Sequence, residues 1–332
     1  MKDKMKKNED ILISIIIPTC NRPMLLHRAL QKIQEQTYSH FEVLIINNGT
    51  KPELVDDYQI IEKQFDQRFK FLNFHNASAQ GFGPSIARNI GIDNAEGDYI
   101  AFCDDDDEWI DRDYLFNLEK IINTKQPLLI LSDQYALITD QDTILKKSNW
   151  LPQIEKYTCF ENEVTYGQLN VVRYFSETGV FPHLNISVYK TSWLKALGGF
   201  NKCLWYEEDL ELFLRALQQS PTTYFYNKVV ANHYVPKKAL KQNVTSDITE
   251  QKKHLSRFLM TINLIDKYGI KSSSPLLLSL ASSSSKHLCA FAIDNKQKRL
   301  AKMYAQQALV LKPSLKWALY TTYLKLITII WK

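Results

Sequence analysis

Short apolar runs rich in β-branched residues alternate with amphipathic stretches in the first third of the chain. The runs predict strands at 11–17, 41–46, 69–74 and 98–103, and the stretches between them predict helices at 24–36, 52–65 and 84–94. Strands that alternate with helices form an open parallel sheet with right-handed crossovers. The sequence therefore predicts an α/β fold, with a Rossmann-like, mostly parallel sheet flanked by helices.

Three of the predicted strands end in clusters of polar residues. The first strand is followed by residues 18–22, the second by 47–50 and the fourth by 104–107. Ligands of open α/β sheets bind in the crevice outside the carboxyl ends of the strands. Such loops can be merely solvated, but three clusters along one edge favour a nucleotide crevice.

Four consecutive aspartates, Asp104 to Asp107, follow the apolar run 99–103. Neighbouring carboxylates repel one another and raise one another's pKa, and a divalent ion with oxygen ligands relieves this conflict. The alternative is a solvated acidic turn that caps a helix after Trp109. Because the chain has no GxGxxG after its first strand and no GxxxxGK[ST], we expect Mn²⁺ or Mg²⁺ to hold the phosphates instead of a glycine-rich loop.

Four segments in order resemble the motif series of family 2 glycosyltransferases with the GT-A fold. They are SIIIPTCNR at 14–22, ARNIG at 87–91, DDDDEW at 104–109, and GGF at 198–200 followed by EED at 207–209. The likeness spans residues 11–236. It implies inverting transfer of a sugar from a nucleotide diphosphate donor to an acceptor hydroxyl, by an enzyme of the hexosyl- or N-acetylhexosaminyl-transferase type.

The resemblance implies roles for the aspartates on the donor side. Asp104 would contact the ribose and Asp106 would bind the metal, with Asp105 as the variable residue between them. Asp107 would support the metal or cap the following helix, and its side chain favours the cap. The rest of the expected donor site consists of Pro18, Thr19, Asn21, Arg22, Asn48 and Arg88.

Among these donor residues, Asn48 departs from the family pattern and Arg88 has two alternative roles. The family usually places an Asp where this chain has Asn48, and that Asp accepts the uracil N3–H; the Asn carbonyl is a weaker acceptor. A UDP-sugar remains the expected donor, with relaxed selectivity for the base. Arg88 would pair with uracil or phosphate through its planar fork, or would be an ordinary arginine on a helix surface.

Three acids, Glu207, Glu208 and Asp209, precede apolar residues at helical spacing. They are therefore expected at a helix N-terminus, where the dipole stabilises negative charge. The resemblance aligns Glu208 and Asp209 with the catalytic acids and makes Asp209 the general base. Just before them, Trp205 and Tyr206 would stack on an acceptor sugar or pack in the core.

His233 follows a strand-like run and resembles a histidine that some relatives place near the metal; a structural role is the alternative. Two more strands are predicted at 128–132 and 135–145. Residues 127–190 belong to the acceptor side in the resemblance, and nothing in them identifies the acceptor. Five dispersed cysteines predict neither disulfides nor a zinc site, which fits a cytoplasmic protein.

The last hundred residues have a different character. Residues 237–332 carry 17 Lys and Arg against 4 Asp and Glu, within a chain whose net charge is +5. Apolar stripes predict helices there, with breaks at 272–274 and 282–285. No uninterrupted apolar run reaches the roughly 18 residues of a membrane span.

A final basic helix over 313–332 would lie in a membrane interface or pack on the body. We expect peripheral contact with the inner face of the cell membrane through the basic C-terminal helices. Nucleic acid is not expected as a partner, since no reading motif is present. The predicted organisation is a basic tail (1–10), a GT-A domain (11–245, with a nucleotide-sugar half at 11–126 and an acceptor half at 127–245) and a basic helical region (246–332).

Together these features predict a metal-assisted glycosyltransferase of polysaccharide, lipopolysaccharide or capsule synthesis, with a glycan or lipid-linked acceptor. A sugar-nucleotide pyrophosphorylase is one alternative, but it should have a glycine-rich basic loop after its first strand, and residues 18–23 lack one. A nucleotide-sugar-binding protein without catalysis is the other. The intact aspartates and the pair Glu208 and Asp209 argue against it.

Overall fold

The computed structural model describes residues 11–74, 81–140, 143–160, 165–204, 206–236, 248–269 and 274–330. The chain divides into two compact units. The first comprises Met1–Ala216 with Ser220–Leu240, and the second Leu217–Gln219 with Lys241–Lys332. The expectations for the tail 1–10 and for the break at 272–273 lie outside the described residues.

The first unit begins with alternating strands and helices, as the sequence predicts. In order they are β1 (Ile13–Thr19), α1 (Pro23–Gln34), β2 (Phe41–Asn48), α2 (Val55–Glu62), β3 (Phe69–Phe74), α3 (Pro84–Asn94) and β4 (Tyr99–Phe102). The strands pair in parallel in the order β3-β2-β1-β4. A short 3-10 turn, Pro52–Leu54, replaces the start of the helix predicted at 52–65.

The second half of this unit makes the sheet mixed. It contains β5 (Glu108–Trp109), α4 (Tyr114–Lys125), β6 (Leu129–Asp140), β7 (Thr143–Asn149), β8 (Thr158–Phe160), β9 (Tyr166–Leu169), α5 (Val171–Thr178), β10 (Ser187–Lys190), α6 (Thr191–Leu197), α7 (Glu208–Leu217) and β11 (Thr223–Pro236). The full order is β3-β2-β1-β4-β10-β6-β11-β9-β8, with β5 beside β11 and β7 beside β6. β10 runs antiparallel to both of its neighbours. The prediction of an open sheet flanked by helices is confirmed.

The sheet topology places one crevice. From β1 the chain proceeds to β2 and β3 on one side and returns to β4 on the other side of β1. The order of strands thus reverses between β1 and β4, and ligands of open sheets bind at such a point. The loops that follow β1 and β4 meet there, so the polar cluster at 18–22 lies beside the four aspartates.

One local prediction in this unit is wrong. Strands predicted at 128–132 and 135–145 are instead the single strand β6 and a new strand, β7, which starts at Thr143. Asp133 does not end the first strand, because its buried carboxylate accepts hydrogen bonds from Gln134 N, Trp150 N and Leu151 N. A polar residue that suggests a strand end is therefore satisfied inside the sheet.

The second unit is helical, as predicted. Its described helices are α8 (Glu250–Tyr268), α9 (Ser274–Asp294), α10 (Lys298–Leu311) and α11 (Leu315–Ile330). Small and apolar side chains of α9, α10 and α11 form one core, consisting of Cys289, Ala292, Ala301, Ala305 and Leu324.

The break predicted at 282–285 is wrong, because these serines lie inside α9. Ser282 and Ser285 are fully buried, and Ser282 Oγ donates to Ala308 O at 2.8 Å. By length and composition Pro275–Asp294 is apolar enough to cross a membrane, which the sequence reading did not anticipate. Half of this segment is buried in the protein, as in the core helix of many proteins that span nothing.

Candidate active site

The four aspartates after β4 lie in the crevice, and each has a positive partner within the protein. Asp105 and Asp107 are both 1% exposed, and Asp104 and Asp106 are partly accessible. Their partners come from three elements: Arg22 from the loop after β1, Arg88 from α3 and His233 from β11. Three cationic side chains therefore offset part of the charge of the four aspartates.

Arg88 joins the end of β4 to the start of α7. Its Nη2 donates to Asp104 Oδ1 and its Nη1 donates to Glu208 Oε1, both at 2.7 Å. Burial alone would raise the pKa of Asp104, but the attraction of Arg88 outweighs it and lowers that pKa to about 2. The alternative of a surface arginine is wrong, because Arg88 is 6% exposed. This arginine brings the aspartates and the acid triplet into one site.

Arg22 contacts the two central aspartates. Its Nη1 donates to Asp106 Oδ2 at 2.7 Å, and its Nη2 lies 3.0 Å from Asp105 Oδ1. Burial raises the pKa of Asp105 to about 7 despite this arginine. The backbone of Arg22 is fixed by its N–H bond to Tyr58 Oη at 3.1 Å, and Tyr58 Oη also lies 3.0 Å from Thr19 Oγ1.

Asp107 holds His233. The two side chains meet at 2.7 Å between Oδ2 and Nδ1, and Asp107 Oδ1 accepts from Tyr234 N at 3.0 Å. The Asn185 amide also donates to Asp107 Oδ2. Burial opposes a charged imidazole, but Asp107 outweighs it and raises the pKa of His233 to about 9. The expected capping role of Asp107 is wrong, since α4 begins only at Tyr114.

His183 is a site residue that the sequence reading missed. Its ring centroid lies 4.4 Å from that of His233, and its Nε2 is 3.8 Å from Asp104 Oδ2. One ligand atom each from Asp107, His183 and His233 lie within 4.8 Å of one another. Burial and the neighbouring His233 lower the pKa of His183 to about 4, so this imidazole is neutral near pH 7.

The donor set fits a divalent cation. Because Asp107 takes His233 Nδ1, the other ring nitrogen is left for a ligand, and a carboxylate behind a histidine commonly orients a metal ligand in this way. The carboxylate of Asp106 is 27% exposed and supplies an accessible oxygen nearby. Carboxylate oxygen together with imidazole nitrogen is a set that Mn²⁺ accepts.

Trp150 forms a wall of this site and was also missed. Its ring centroid lies 5.5 Å from that of His183 and 5.4 Å from that of His233. The indole Nε1 donates to Phe181 O at 2.8 Å, and Asp133 holds the backbone at Trp150. No sequence motif identifies Trp150 or His183 as site residues. The one feature of the sequence that pointed to this region was Asp133, a charged residue inside an apolar strand.

The acid triplet stands at the start of α7, as predicted. Glu208 pairs with Arg88, whereas Asp209 Oδ1 accepts a hydrogen bond from Leu210 N at 2.7 Å. Burial and the adjacent Glu208 raise the pKa of Asp209 to about 7. Glu207 has φ 58°, a left-handed conformation that is uncommon outside glycine.

Hydrogen bonds from two helices fix the Gly-Gly-Phe loop ahead of the triplet. Asn89 of α3 donates to Phe200 O at 2.8 Å and accepts from Phe200 N at 2.7 Å. Arg215 of α7 donates to Leu197 O at 2.5 Å and to Gly199 O at 2.7 Å. Buried bonds of this kind hold the start of α7 in register with α3.

The expected base-binding residue, Asn48, is engaged with the loop before α3. Its Nδ2 donates to Gly83 O at 3.0 Å, and its Oδ1 accepts from Phe82 N at 2.9 Å. A base that used Asn48 would have to share the oxygen with Phe82. Gly81 must be glycine, because its φ is 66° and a Cβ would collide with Asn48 O.

The remaining predicted residues lie around the same crevice, with one exception. Pro18 and Asn21 are partly exposed at the end of β1, and Asn21 Oδ1 accepts from Lys51 N at 2.8 Å. Tyr206 is half-buried directly before the acid triplet. Trp205 lies outside the described residues.

Known proteins resemble parts of this chain. Residues 14–125 match the family described as glycosyl transferase family 2. The chain is 31% identical over 160 residues to the Glycosyltransferase GlyA of Streptococcus pneumoniae serotype 4, across 46% of this chain and 22% of that protein. It is 33% identical over 96 residues to the GalNAc(5)-diNAcBac-PP-undecaprenol beta-1,3-glucosyltransferase of Campylobacter jejuni, across 29% of this chain and 30% of that protein. The chain thus spans less than a third of the length of these two relatives.

A solved structure shares the fold. S. aureus TarS 1-349, determined in complex with UDP-GlcNAc, superposes with a TM-score of 0.63 at 17% identity, covering 90% of this chain and 82% of that one. At this identity the likeness concerns the fold alone, and it agrees with the predicted GT-A architecture.

Proposed function

Because the chain belongs to glycosyl transferase family 2 through residues 14–125, we propose that it is an inverting glycosyltransferase that uses a nucleotide diphosphate sugar. The observation that carries this proposal is Arg88, which joins Asp104 to Glu208. Through that arginine the acidic run and the acid triplet form one site. A donor bound at the acidic run would face a general base from the acid triplet.

The proposed donor side consists of the loops after β1, β2 and β4. Asp104 would accept from the ribose hydroxyls, since Arg88 keeps this carboxylate ionised with a pKa of about 2. Thr19, Asn21 and Asn48 would surround the base, with a UDP-sugar as first choice. The complex of TarS with UDP-GlcNAc supports that choice by analogy of fold.

Asp209 is the proposed general base. Glu208 is occupied by Arg88, whereas Asp209 accepts a hydrogen bond from the neighbouring backbone N–H of Leu210. Asp209 would take the proton of the acceptor hydroxyl as that oxygen bonds to the anomeric carbon, and the bond from this carbon to the diphosphate would break on the opposite face. Glu208 then acts as a positioning residue for its neighbour.

The proposed cation site uses Asp106 and His233, with Asp107 behind the histidine and His183 beside it. A divalent cation there would offset the charge of the departing diphosphate. Nitrogen ligands favour Mn²⁺ over Mg²⁺, which prefers oxygen. Asp107 would keep His233 Nε2 turned toward the site.

The acceptor is proposed to be a glycan or a lipid-linked glycan. The Campylobacter jejuni relative is named for an undecaprenol-linked substrate. Trp150 and Tyr206 are both partly exposed, and we propose that their rings stack on sugar faces of the acceptor.

Peripheral contact with the cytoplasmic face of a membrane is proposed for the second unit. On α11 a stripe of apolar side chains is exposed, consisting of Leu315 (79%), Leu319 (66%), Tyr323 (56%) and Leu326 (54%). At 100° per residue they fall within an arc of about 80°. The opposite face packs on α10 through Trp317 and Leu324. Lys316 and Lys325 flank the stripe, so the partner that fits is an anionic lipid surface.

Release of nucleotide from a panel of UDP-, dTDP-, CDP- and GDP-sugars tests the activity. We expect UDP release that requires Mn²⁺ and stops with a chelator, and we expect Asp209→Asn to abolish most of it. Formation of a sugar nucleotide from a sugar phosphate and nucleoside triphosphate would make the protein a pyrophosphorylase. Tight UDP-sugar binding with no release in the presence of any acceptor glycan would make it a binding protein.

A further inference from the structure

Arg22 lies between the two central aspartates of the acidic run. It donates to Asp106 Oδ2 at 2.7 Å and lies 3.0 Å from Asp105 Oδ1. The Asp105 side chain is 1% exposed, whereas those of Asp106 and Arg22 are 27% and 40% exposed. One guanidinium therefore pairs with a buried carboxylate and an accessible carboxylate at the same time.

The accessible carboxylate, Asp106, is also the proposed cation ligand, so the inference rests on the proposed function. A divalent cation that approaches Asp106 meets the positive charge of Arg22 and an oxygen already engaged by Nη1. Binding of the cation through Oδ2 requires that Nη1 leaves this oxygen. Without a new partner for the guanidinium, this competition weakens cation binding.

A nucleoside diphosphate supplies such a partner. The planar fork of arginine matches phosphate oxygens and forms strong charge-assisted hydrogen bonds with them. The backbone of Arg22 is held by Tyr58 Oη, so the movement is confined to the side chain. Asp105 is buried and retains the other half of the fork while Nη1 turns from Asp106 toward phosphate.

We infer that Arg22 is a positioning residue that makes the binding of a divalent cation and of a nucleoside diphosphate cooperative. Without nucleotide it occupies Asp106 and keeps cation affinity low. With both ligands present it contacts the diphosphate, and the cation takes Asp106. Asp105 is the anchor that keeps Arg22 at this junction, which gives a role to the aspartate expected to be variable. Because linkage is reciprocal, the cation strengthens nucleotide binding by the same factor.

Mn²⁺ titrations with and without UDP test the inference, with free Mn²⁺ measured by electron paramagnetic resonance. In the wild type we expect UDP to strengthen Mn²⁺ binding by about tenfold or more, within the usual range of coupling between sites. In Arg22→Gln the nucleotide-free affinity for Mn²⁺ should rise severalfold, and the effect of UDP should fall to about threefold or less. If Arg22 only supported the fold, its replacement would not raise the affinity for Mn²⁺.

Arg28→Gln is the matched control. Arg28 lies on α1, the helix that follows Arg22, and contacts Glu108 at 2.6 Å. Its loss removes the same charge near the acidic run but not at Asp106. It should keep the wild-type coupling. Arg22→Lys keeps the test valid if Arg22→Gln fails to fold, because the lysine leaves a positive charge beside Asp105 but lacks the planar fork. Its nucleotide-free Mn²⁺ affinity should also rise, by less than in Arg22→Gln.

Two results would overturn the inference. If both Arg22 variants bind Mn²⁺ with wild-type affinity and wild-type coupling, Arg22 does not compete with the cation for Asp106. The inference then fails, and the proposed metal-assisted function is unaffected. If the wild type binds no Mn²⁺ even with saturating UDP, the proposed function fails in its metal dependence and the inference fails with it.

Discussion

The aspartates after β4 differ in acidity because they differ in partners. Asp104 accepts from Arg88 and has a pKa of about 2, whereas its neighbour Asp105 has a pKa of about 7 because its burial outweighs the attraction of Arg22. Asp107 faces a histidine whose pKa it raises to about 9. A run of four like residues thus contains three different chemical environments.

Asp209→Asn should lower turnover by about 10²–10⁴-fold, the usual contribution of a general base. The amide cannot accept the proton of the attacking hydroxyl. Donor affinity should change little, because the donor contacts proposed above come from other loops. Single-turnover rates and calorimetric titration of UDP measure the two effects. The exposed Asp56 on α2 provides the control Asp56→Asn, and a loss of donor affinity equal to the loss of rate would contradict the assignment.

Turnover should rise with pH through about 7. Burial and Glu208 raise the pKa of Asp209 to about 7, and a base works only when it is deprotonated. The same shift opposes folding at higher pH, because the folded state binds this proton more tightly than the unfolded chain and loses that advantage as pH rises from about 4 to 7. Turnover rates measured between pH 5.5 and 9 test this rise, which forms the acidic limb of the pH profile. If the residual activity of Asp209→Asn shows the same limb, another group is responsible.

Part of the site followed from sequence and part could not. Arg88, the aspartates and Glu208 stand in motifs, and the structure brings them within hydrogen-bonding distance. His183, Asn185 and Trp150 lie in a segment without motifs. The mixed half of the sheet brings His183 and Asn185 to the aspartates and Trp150 to the two histidines. The sequence argument that the acidic run requires an external cation was incomplete, because it did not count the positive charges of Arg22 and His233, which the structure pairs with the aspartates.

At the scale of elements, the periodicity of apolar residues predicted the strands and helices whose form depends on local packing. The strands and helices up to β4 follow from alternating runs of suitable length. Errors occurred where a polar residue finds its partner inside an element: Asp133 within β6, and Ser282 within α9, which bonds to the backbone of α10. Composition marks both as breaks, and only tertiary contacts reverse that reading.

Two adjacent glycines offer a test of how the loop before α7 is held. Gly199 has φ 61° and its Cβ would collide with Asn89 Oδ1, whereas Gly198 has φ 87° and open space around it. Gly198→Ala should therefore cost only the strain of the left-handed backbone, about 1–2 kcal/mol. Gly199→Ala should cost that and also the two bonds between Asn89 and Phe200, in all about 2–4 kcal/mol.

Urea denaturation of the two glycine variants gives both free energies of unfolding. Gly199→Ala should also lower turnover, since the same loop leads to Asp209. Equal destabilisation by the two substitutions would show that the bonds to Asn89 do not fix the loop.

At the scale of the whole molecule, charge is segregated along the chain. Residues 237–332 carry an excess of 13 positive charges, and the rest of the chain is correspondingly acidic. An acidic body avoids anionic surfaces and a basic unit seeks them. The exposed stripe on α11 adds apolar area to that attraction.

Replacing Leu315, Leu319, Tyr323 and Leu326 by serine should reduce binding to anionic liposomes at least about tenfold, because each loses apolar area that the interface would bury. Binding of the wild type should weaken with added salt and on neutral lipid. Cosedimentation measures all three. Ile144 and Leu145 on β7 are similarly exposed, at 53% and 52%, and their serine variants serve as the control. Equal losses in both sets, or none in the first, would refute the membrane contact.

The internal pairing of charge in the acidic run also bears on how a catalytic cycle ends. Arg22, Arg88 and His233 offset part of the charge of these carboxylates. A divalent cation and a spent nucleotide carry charges that largely cancel, so together they form a nearly neutral particle. Under the proposed function the cation and the nucleotide would leave together, and Arg22 would then pair with Asp106 again, so that no cation would remain at that carboxylate.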